Sequence, residues 1–151
     1  MNWKPTKIPK GFVLLRDTRE QRPLFKGFAE VETLHNGDYS VRGYEDLLVV
    51  ERKQLSDFWA YIGVERAKTR IKLERLRVMS FAGLVIESTE RKLYGEQKYT
   101  KLTREHARGF ITSAEVCYGI HVFISADRVK LERWILDRLV YGYRMLKEGG
   151  V

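Results

Sequence analysis

The residues best suited to chemistry lie in the segment 37–57, which reads GDYSVRGYEDLLVVERKQLSD. Two runs of strand-forming residues within it are joined by residues 43–46, Gly-Tyr-Glu-Asp, a composition typical of a tight turn. If this hairpin turns symmetrically about the middle of 43–46, Asp38 faces Glu51 across the two strands. The sequence therefore predicts a pair of opposed carboxylates.

Two opposed carboxylates need a cation or a proton between them, because like charges on directly facing residues, about 4.5–5.5 Å apart at Cβ, destabilise a sheet. Hard divalent cations such as Mg²⁺ bind one or two protein carboxylates together with water and substrate phosphate. Strand alternation places Lys53 on the same face as Glu51, while Arg52 points to the opposite face. The pattern Asp-x12-Glu-x-Lys thus indicates a site that holds a metal and activates a water for attack on a phosphodiester.

Further motifs surround this pair. The chain has DTRE at 17–20, GDY at 37–39, and ERK at 51–53 followed by Asp57. Together these motifs resemble the nuclease domain of the XPF/Mus81 family of structure-specific endonucleases, whose signature is GD…ERKxxxD, and every signature position is matched. The resemblance covers roughly 12–88 and extends to the end of the chain as the rest of a restriction-endonuclease-like fold.

The resemblance implies a role for each residue of these motifs. The implied metal ligands are Asp17, Asp38 and Glu51. Lys53 is the residue implied to polarise the attacking water. The remaining implied catalytic residues, which support the site, are Arg19, Glu20, Arg52 and Asp57.

The activity implied by the resemblance is a Mg²⁺- or Mn²⁺-dependent endonuclease that cuts branched or partly single-stranded DNA, such as 3′ flaps, forks or junctions, in DNA repair or recombination. Such enzymes commonly carry tandem helix-hairpin-helix modules and sometimes a helicase region, for which 151 residues leave no room. We therefore expect one nuclease domain over 1–151. Two alternatives stay open: a Holliday-junction resolvase or recombination nuclease on the same fold, and a noncatalytic DNA-binding partner subunit.

Two basic stretches are candidates for contact with DNA. Residues 65–77 carry six basic and two acidic side chains, typical either of a solvated helix face with internal ion pairs or of a phosphate-binding face. The polar stretch 88–101 predicts a mobile loop, which is either solvated or follows a single strand by charge and by stacking of Tyr94 and Tyr99. The candidate DNA-binding residues are Arg66, Arg70, Lys72, Arg91, Lys92, Lys98 and Lys101.

The overall composition agrees with a DNA-binding protein that works inside the cell. A formal net charge of +8 favours polyanionic partners, with nucleic acid before an anionic membrane surface. The hydrophobic content of 44% excludes a disordered chain, and the single cysteine excludes an internal disulfide. The opening residues 1–10 lack the apolar run of a secretory signal. We therefore expect an intracellular protein without a membrane span.

The chain must also supply the elements that position these residues. Strands are predicted over 12–16, 29–34, 39–42, 47–53, 84–86 and 120–125, and helices over 55–79, weakened at Gly63, over 107–114 and from Asp127 to Leu146. The resulting order ββββαβαβα predicts an α/β fold: a mixed sheet, begun by an antiparallel hairpin and extended by parallel strands, with helices on both faces.

The resemblance further implies a homodimer or heterodimer formed through the late helices. The side chains that would supply its apolar patch are Trp134, Leu139, Tyr143 and Leu146. A single sequence leaves open whether these residues form an interface or a core.

Overall fold

Six strands form one mixed sheet across residues 7–149, the part of the chain that this computed structural model describes. The strands are β1 (Leu14–Asp17), β2 (Glu30–Glu32), β3 (Tyr39–Val41), β4 (Leu48–Gln54), β5 (Phe81–Glu87) and β6 (His121–Ile124). The helices are α1 (Leu55–Ile62), α2 (Arg66–Arg77), α3 (Glu90–Leu93), α4 (Arg104–Tyr118) and α5 (Arg128–Lys147). Residues 1–6, which belong to the segment tested for a secretory signal, lie outside the described range.

The sheet has the order β2-β1-β3-β4-β5-β6 and confirms the predicted mixture of strand directions. The pairs β1–β3 and β3–β4 are antiparallel, while β5 and β6 are added in parallel beyond β4. Tyr39 pairs with Val50 and Ser40 with Val49, which is the predicted hairpin register. The short edge strand β2 pairs in parallel with β1, a pairing that the sequence pattern does not reveal.

Helices cover both faces of the sheet, which confirms the predicted α/β fold class. On one face, α5 packs on a core that contains Leu48 and Val50 of β4. On the other face, α1, α2 and α4 pack on a second core that contains Val49. The alternation along β4 therefore divides its apolar side chains between two cores. No helix within residues 7–149 combines the length and hydrophobicity that crossing a bilayer requires.

Two predicted segments differ from the structure. The helix predicted over 55–79 divides at Gly63, which ends α1 and donates its backbone N–H to Trp59 O and Ala60 O. The prediction of a mobile loop over 88–101 is wrong for its first part, because α3 forms there, with Thr89 as its N-cap and with Leu93 fully buried. The sequence pattern does not predict α3, because a helix of one turn is too short to show an apolar periodicity.

The apolar residues of α5 belong to the core. Trp134, Leu139 and Tyr143 are buried against the sheet, and Leu146 packs partly against the same cluster. Of the two alternatives that the sequence left open for these four residues, interface or core, the structure shows the core. A dimer through the late helices stays a prediction and would have to use other residues.

Candidate active site

The hairpin places Asp38 and Glu51 beside each other, as the register predicts. Asp38 directly precedes β3, and its backbone N–H donates to Val50 O at 2.9 Å. Its carboxylate Oδ2 accepts the backbone N–H of Arg52 at 2.7 Å, one residue beyond Glu51. Asp38, Glu51 and Lys53 all line one cavity of about 200 Å³. The two carboxylates therefore share a solvent-accessible space with an ammonium group.

Gly37 makes this arrangement possible through its backbone conformation. Its φ of +72° lies in the left-handed region that favours glycine. A Cβ at this position would lie 2.2 Å from Val49 Cγ1 and 3.1 Å from Val50 O. The glycine of the GD motif thus lets the chain turn into β3 while its backbone lies directly against β4.

The cavity disfavours a negative charge on Asp38. Burial, together with the negative charges of Glu51 and Glu20, raises the pKa of Asp38 well above its ordinary value. The Glu51 side chain is only 5% exposed, and its Oε1 lies 3.3 Å from Lys53 Nζ and 3.7 Å from Lys72 Nζ. The positive charges of Lys53 and Lys72 therefore compensate the negative charge of Glu51. The cavity still disfavours a negative charge on Asp38.

Tyr61 forms an aromatic support for the two lysines. Lys53 Nζ lies 4.6 Å from the centre of the Tyr61 ring, and Lys72 Nζ lies 5.8 Å from it. Burial and the nearby carboxylates Glu51 and Asp38 raise the pKa of the Tyr61 hydroxyl, which keeps the ring neutral. Attraction between cations and an aromatic face holds both ammonium groups near Glu51.

Asp17 lines the same cavity, but its oxygens already have partners. Oδ1 accepts the backbone N–H of Leu34 at 2.8 Å, and Oδ2 accepts Arg19 Nε at 2.8 Å. Although burial opposes its ionisation, the hydrogen bonds from Arg19 and Leu34 lower the pKa of Asp17. The structure thus gives Asp17 a role in holding the end of β1 against residue 34, and its role as a metal ligand stays a prediction.

Arg52 lies on the opposite face of β4, as strand alternation predicts, and forms a buried ionic network. Its guanidinium bonds Glu20 Oε2 at 3.0 Å and Glu87 Oε1 at 2.9 Å. Arg128 at the start of α5 also bonds Glu87 and donates to the carbonyls of Arg22 and Pro23. The network ties β4, β5, α5 and the loop after β1 together behind the carboxylate pair.

The other supporting residues predicted from the motifs fall into different places. Glu20 joins the Arg52 network and accepts the hydroxyl hydrogen of Tyr39 at 2.7 Å. Arg19 reaches the cavity of Asp38 from an exposed position, paired with Asp17. Asp57 is exposed in the first turn of α1 and does not line that cavity. The structure therefore brings Arg19 to the cavity, places Glu20 in the Arg52 network behind it and leaves Asp57 outside the cavity.

The predicted DNA-binding residues divide into three groups. Lys72 belongs to the carboxylate cavity itself, next to Glu51. Arg66, Lys98 and Lys101 line a second, larger cavity beside α1. The remaining members, which are exposed on the surface, are Arg70, Arg91 and Lys92.

Several residues in or beside the carboxylate cavity were not identified as site residues from the sequence. His35 and Arg75 line it, and Tyr61 supports its lysines. Arg75 follows Lys72 by three residues on α2, and this spacing places both side chains on one helix face. That spacing was a usable signal for Arg75, whereas His35 and Tyr61 belong to no recognisable motif.

The donor set fits one hard divalent cation held by two carboxylates. Among residues 7–149, no group of three or more histidine, cysteine, aspartate or glutamate side chains has the geometry of a metal cluster. Asp38 and Glu51 nevertheless share a cavity that penalises their joint negative charge. Mg²⁺ commonly binds through one or two carboxylates, with water and phosphate completing its coordination. The pair meets that requirement without Asp17.

Comparisons with known proteins identify a family for the sequence and similar solved structures for the fold. The sequence model of the ERCC4 domain matches residues 17–137, a range that contains the carboxylate pair and Lys53. The fold is similar to that of XPF from Aeropyrum pernix, with a TM-score of 0.64 and 20% identity over 83% of this chain and 59% of that chain. It is also similar to XPF from Aeropyrum pernix in complex with DNA, with a TM-score of 0.66 and 19% identity over 88% and 65% of the two chains. No curated protein matches the sequence.

Proposed function

Because this chain belongs to the ERCC4 domain family, we propose that it is a structure-specific DNA endonuclease that requires Mg²⁺ or Mn²⁺ and hydrolyses phosphodiester bonds in branched DNA. The observation that carries the proposal is the convergence of Asp38, Glu51 and Lys53 on one cavity. The similar Aeropyrum pernix protein in complex with DNA supports a DNA substrate. The chain spans only 59% of the first of those similar chains, so the substrate and partners of the whole protein are part of the proposal.

Each residue of the cavity contributes a distinct property to the reaction. Asp38 and Glu51 would hold a divalent ion, which, when bound, would supply charge neutralisation at the phosphate and lower the pKa of a water. Lys53 sits 3.3 Å from Glu51 and directs an ammonium group at the same space, where it orients a water or a phosphate oxygen. Lys72 and Arg75 extend the positive charge of the cavity along α2 and bind phosphates flanking the scissile bond.

The noncatalytic alternative is disfavoured by the same geometry. A subunit that only binds DNA gains nothing from a carboxylate whose pKa is raised by burial and by a second carboxylate. A buried carboxylate with a disfavoured charge lowers the stability of the fold, and such groups are typical of sites where the perturbed pKa serves a reaction. We therefore assign catalysis to this chain.

The proposal is tested by incubating the protein with end-labelled 3′ flap, fork, Holliday-junction and linear duplex DNA, with and without Mg²⁺. We expect metal-dependent cuts near the branch of at least one substrate and little cutting of the linear duplex. Asp46→Asn, which removes an exposed aspartate from the hairpin turn, is the matched control for Asp38→Asn. Absence of metal-dependent cutting on every branched substrate, or equal cutting by the Asp38→Asn variant, contradicts the proposal.

A further inference from the structure

A second cavity, of about 900 Å³, opens between α1, the start of α2 and residues 97–102. It shares no lining residue with the cavity of Asp38 and Glu51. Apolar side chains of α1 and Leu102 form part of its wall, and Arg66, Lys98 and Lys101 bring positive charge to it. The described residues that line it include no aspartate or glutamate. The cavity therefore combines an apolar surface with attraction for anions.

Trp59 is one of the residues that line this cavity, and its side chain carries an unsatisfied hydrogen-bond donor. Its side chain is buried, and its Nε1–H has no hydrogen-bond partner within residues 7–149. A buried indole N–H usually bonds to an acceptor, and leaving it unpaired costs free energy. A ligand that carries an acceptor into the cavity would satisfy it. Aliphatic ligands lack such an acceptor, whereas every nucleobase has carbonyl or ring-nitrogen acceptors.

Tyr99 adds an exposed aromatic ring at the same cavity. Its side chain is 99% exposed, so its apolar ring has no packing role in the fold. Aromatic side chains interspersed with basic residues are the arrangement by which proteins bind single-stranded nucleic acid, since bases stack on the rings while cations track the phosphates. An acidic peptide would also satisfy the charges, but it offers no flat ring to stack on Tyr99.

We propose that this cavity binds one unpaired nucleotide from a single-stranded arm of DNA. The base enters beside Trp59 and accepts its Nε1–H, Tyr99 stacks on that base or its neighbour, and Arg66 and Lys101 bind the flanking phosphates. The inference rests on the proposed function, because it assigns where the unpaired arm of the branched substrate is held.

Helix α2 sets the spacing between this nucleotide and the candidate active site. Arg66 lines the nucleotide cavity, and Lys72, six residues later, lines the cavity of Asp38. Six residues of α-helix rise about 9 Å. At the duplex rise of roughly 3.4 Å per nucleotide, this distance corresponds to about three nucleotides, and an extended unpaired strand covers it with fewer. A strand held in the nucleotide cavity can therefore reach the cavity of Asp38 within a few nucleotides.

The test measures binding with EDTA present, so that cutting is excluded. The probes are fluorescein-labelled oligothymidylate and an abasic oligonucleotide of equal length, which keeps the phosphates but lacks bases. We expect the unmodified protein to bind oligothymidylate more tightly than the abasic strand. Trp59→Phe should weaken oligothymidylate binding about tenfold and leave abasic binding unchanged, because it removes the indole donor while keeping a smaller aromatic ring. Thermal unfolding of the variant checks that it is folded.

Substitutions at the exposed residues Tyr99 and Lys101 test the same proposal without changing a buried side chain. Tyr99→Ala should lower oligothymidylate affinity about fivefold, by loss of stacking. Lys101→Gln should weaken both probes, whereas Lys130→Gln, which removes the same charge from exposed α5, should change neither by more than about twofold.

Several outcomes would overturn the inference. It fails if the unmodified protein binds both probes equally, or if folded Trp59→Phe and Tyr99→Ala bind oligothymidylate as the unmodified protein does. Displacement of oligothymidylate by a polyglutamate peptide as effectively as by unlabelled oligothymidylate would assign the cavity to a protein partner instead. These binding measurements involve no DNA cutting. Nucleotide binding can therefore be disproved while flap cleavage is observed, or confirmed while flap cleavage is not, so the two proposals are tested separately.

Discussion

Asp38 is the residue at which stability and chemistry oppose each other. Its carboxylate accepts one backbone N–H, but burial and the nearby charges of Glu51 and Glu20 favour its neutral form. A divalent cation would reverse this preference by compensating the negative charges. The residue is therefore suited to a protein that gains stability from metal and loses some without it.

We predict that Asp38→Asn stabilises the metal-free protein. The amide can keep the acceptor for Arg52 N–H and removes the disfavoured charge, so the free energy of unfolding should rise by about 0.5–2 kcal/mol near neutral pH. The pH dependence has a definite sign. Because the pKa of Asp38 is raised in the fold, the unmodified protein loses stability as pH rises from the ordinary carboxyl range through the raised pKa.

This prediction is checked by urea unfolding in EDTA at several pH values. The gain of the asparagine variant over the unmodified protein should be smallest at acidic pH and grow as pH rises. A variant that is less stable than the unmodified protein at every pH, or a gain that shrinks with rising pH, would contradict the burial of an uncompensated charge at this position.

Lys72 gives a second prediction at the residue scale. Its Nζ lies 3.7 Å from Glu51 Oε1, whereas Lys68 is exposed one turn earlier on the same helix. Lys72→Gln should lower the rate of flap cutting about tenfold, a loss of about 1.4 kcal/mol in transition-state stabilisation. Lys68→Gln removes the same charge and should change the rate less than about twofold. Equal effects of the two variants would show that general charge, and not the position of Lys72, matters.

The facing of Asp38 and Glu51 could be predicted from the sequence because a hairpin with a short turn has only a few registers, and strand alternation then separates Lys53 from Arg52. The partners of these side chains could not be predicted in the same way. Tyr61 and Lys72 reach Glu51 only after α1 and α2 have packed on the sheet. Asp17 matches its motif, yet its carboxylate is engaged by Arg19 and Leu34, a contact that depends on the path of the following loop.

At the scale of elements, the β3–β4 hairpin and the turn before it determine the site. Gly37 approaches β4 too closely to carry a side chain and has a positive φ, whereas Gly43 has a positive φ but open space around its missing Cβ. The two glycines therefore separate the effect of backbone conformation from the effect of crowding.

We predict that Gly37→Ala costs much more than Gly43→Ala. At both positions alanine meets an unfavourable backbone conformation, worth about 1–2 kcal/mol. Only at position 37 must the chain also move away from Val49, which displaces Asp38 and should abolish cutting. Urea unfolding and the flap assay measure both effects. Similar stability and activity for the two variants would show that the approach of residue 37 to β4 is not required.

The sequence predicts elements well where periodicity is long and caps are present. Asp127 accepts the backbone N–H of Val129 and Lys130 as the predicted N-cap of α5, and Gly119 ends α4 in a left-handed conformation. The pattern fails for α3, which has a single turn, and for the pairing of β2, which depends on contacts with β1. Periodicity also leaves open what an apolar helix face packs against, so only the structure shows that the apolar residues of α5 belong to the core and not to an interface.

At the scale of the whole molecule, the net charge of +8 should appear as a strong salt dependence of DNA binding. Each phosphate contact on duplex DNA contributes about 0.9 to the slope of log K against log salt concentration. Arg70→Gln on α2 should therefore reduce the slope by about 0.9 in EDTA. Arg133→Gln, an exposed arginine of α5, is its matched control and should leave the slope unchanged. Equal slopes for both variants would mean that α2 does not face the DNA.

The buried Arg52 network connects the site to the rest of the molecule. It joins β4 to β5 through Glu87, to the DTRE segment through Glu20 and to α5 through Arg128. Paired and hydrogen-bonded charges of this kind position elements more than they add stability. The sequence placed Arg52 opposite Lys53, but its partners come from segments 31 to 35 residues away and emerge only in the folded chain.

Calorimetric titration of the DNA-free protein with Mn²⁺ tests most directly whether Asp38 and Glu51 bind a divalent ion. We predict binding of about one ion per chain by the unmodified protein and by Asp46→Asn, and loss of that binding in both Asp38→Asn and Glu51→Gln. Undiminished Mn²⁺ binding by either of the last two variants, or the absence of binding by the unmodified protein, would contradict the assignment.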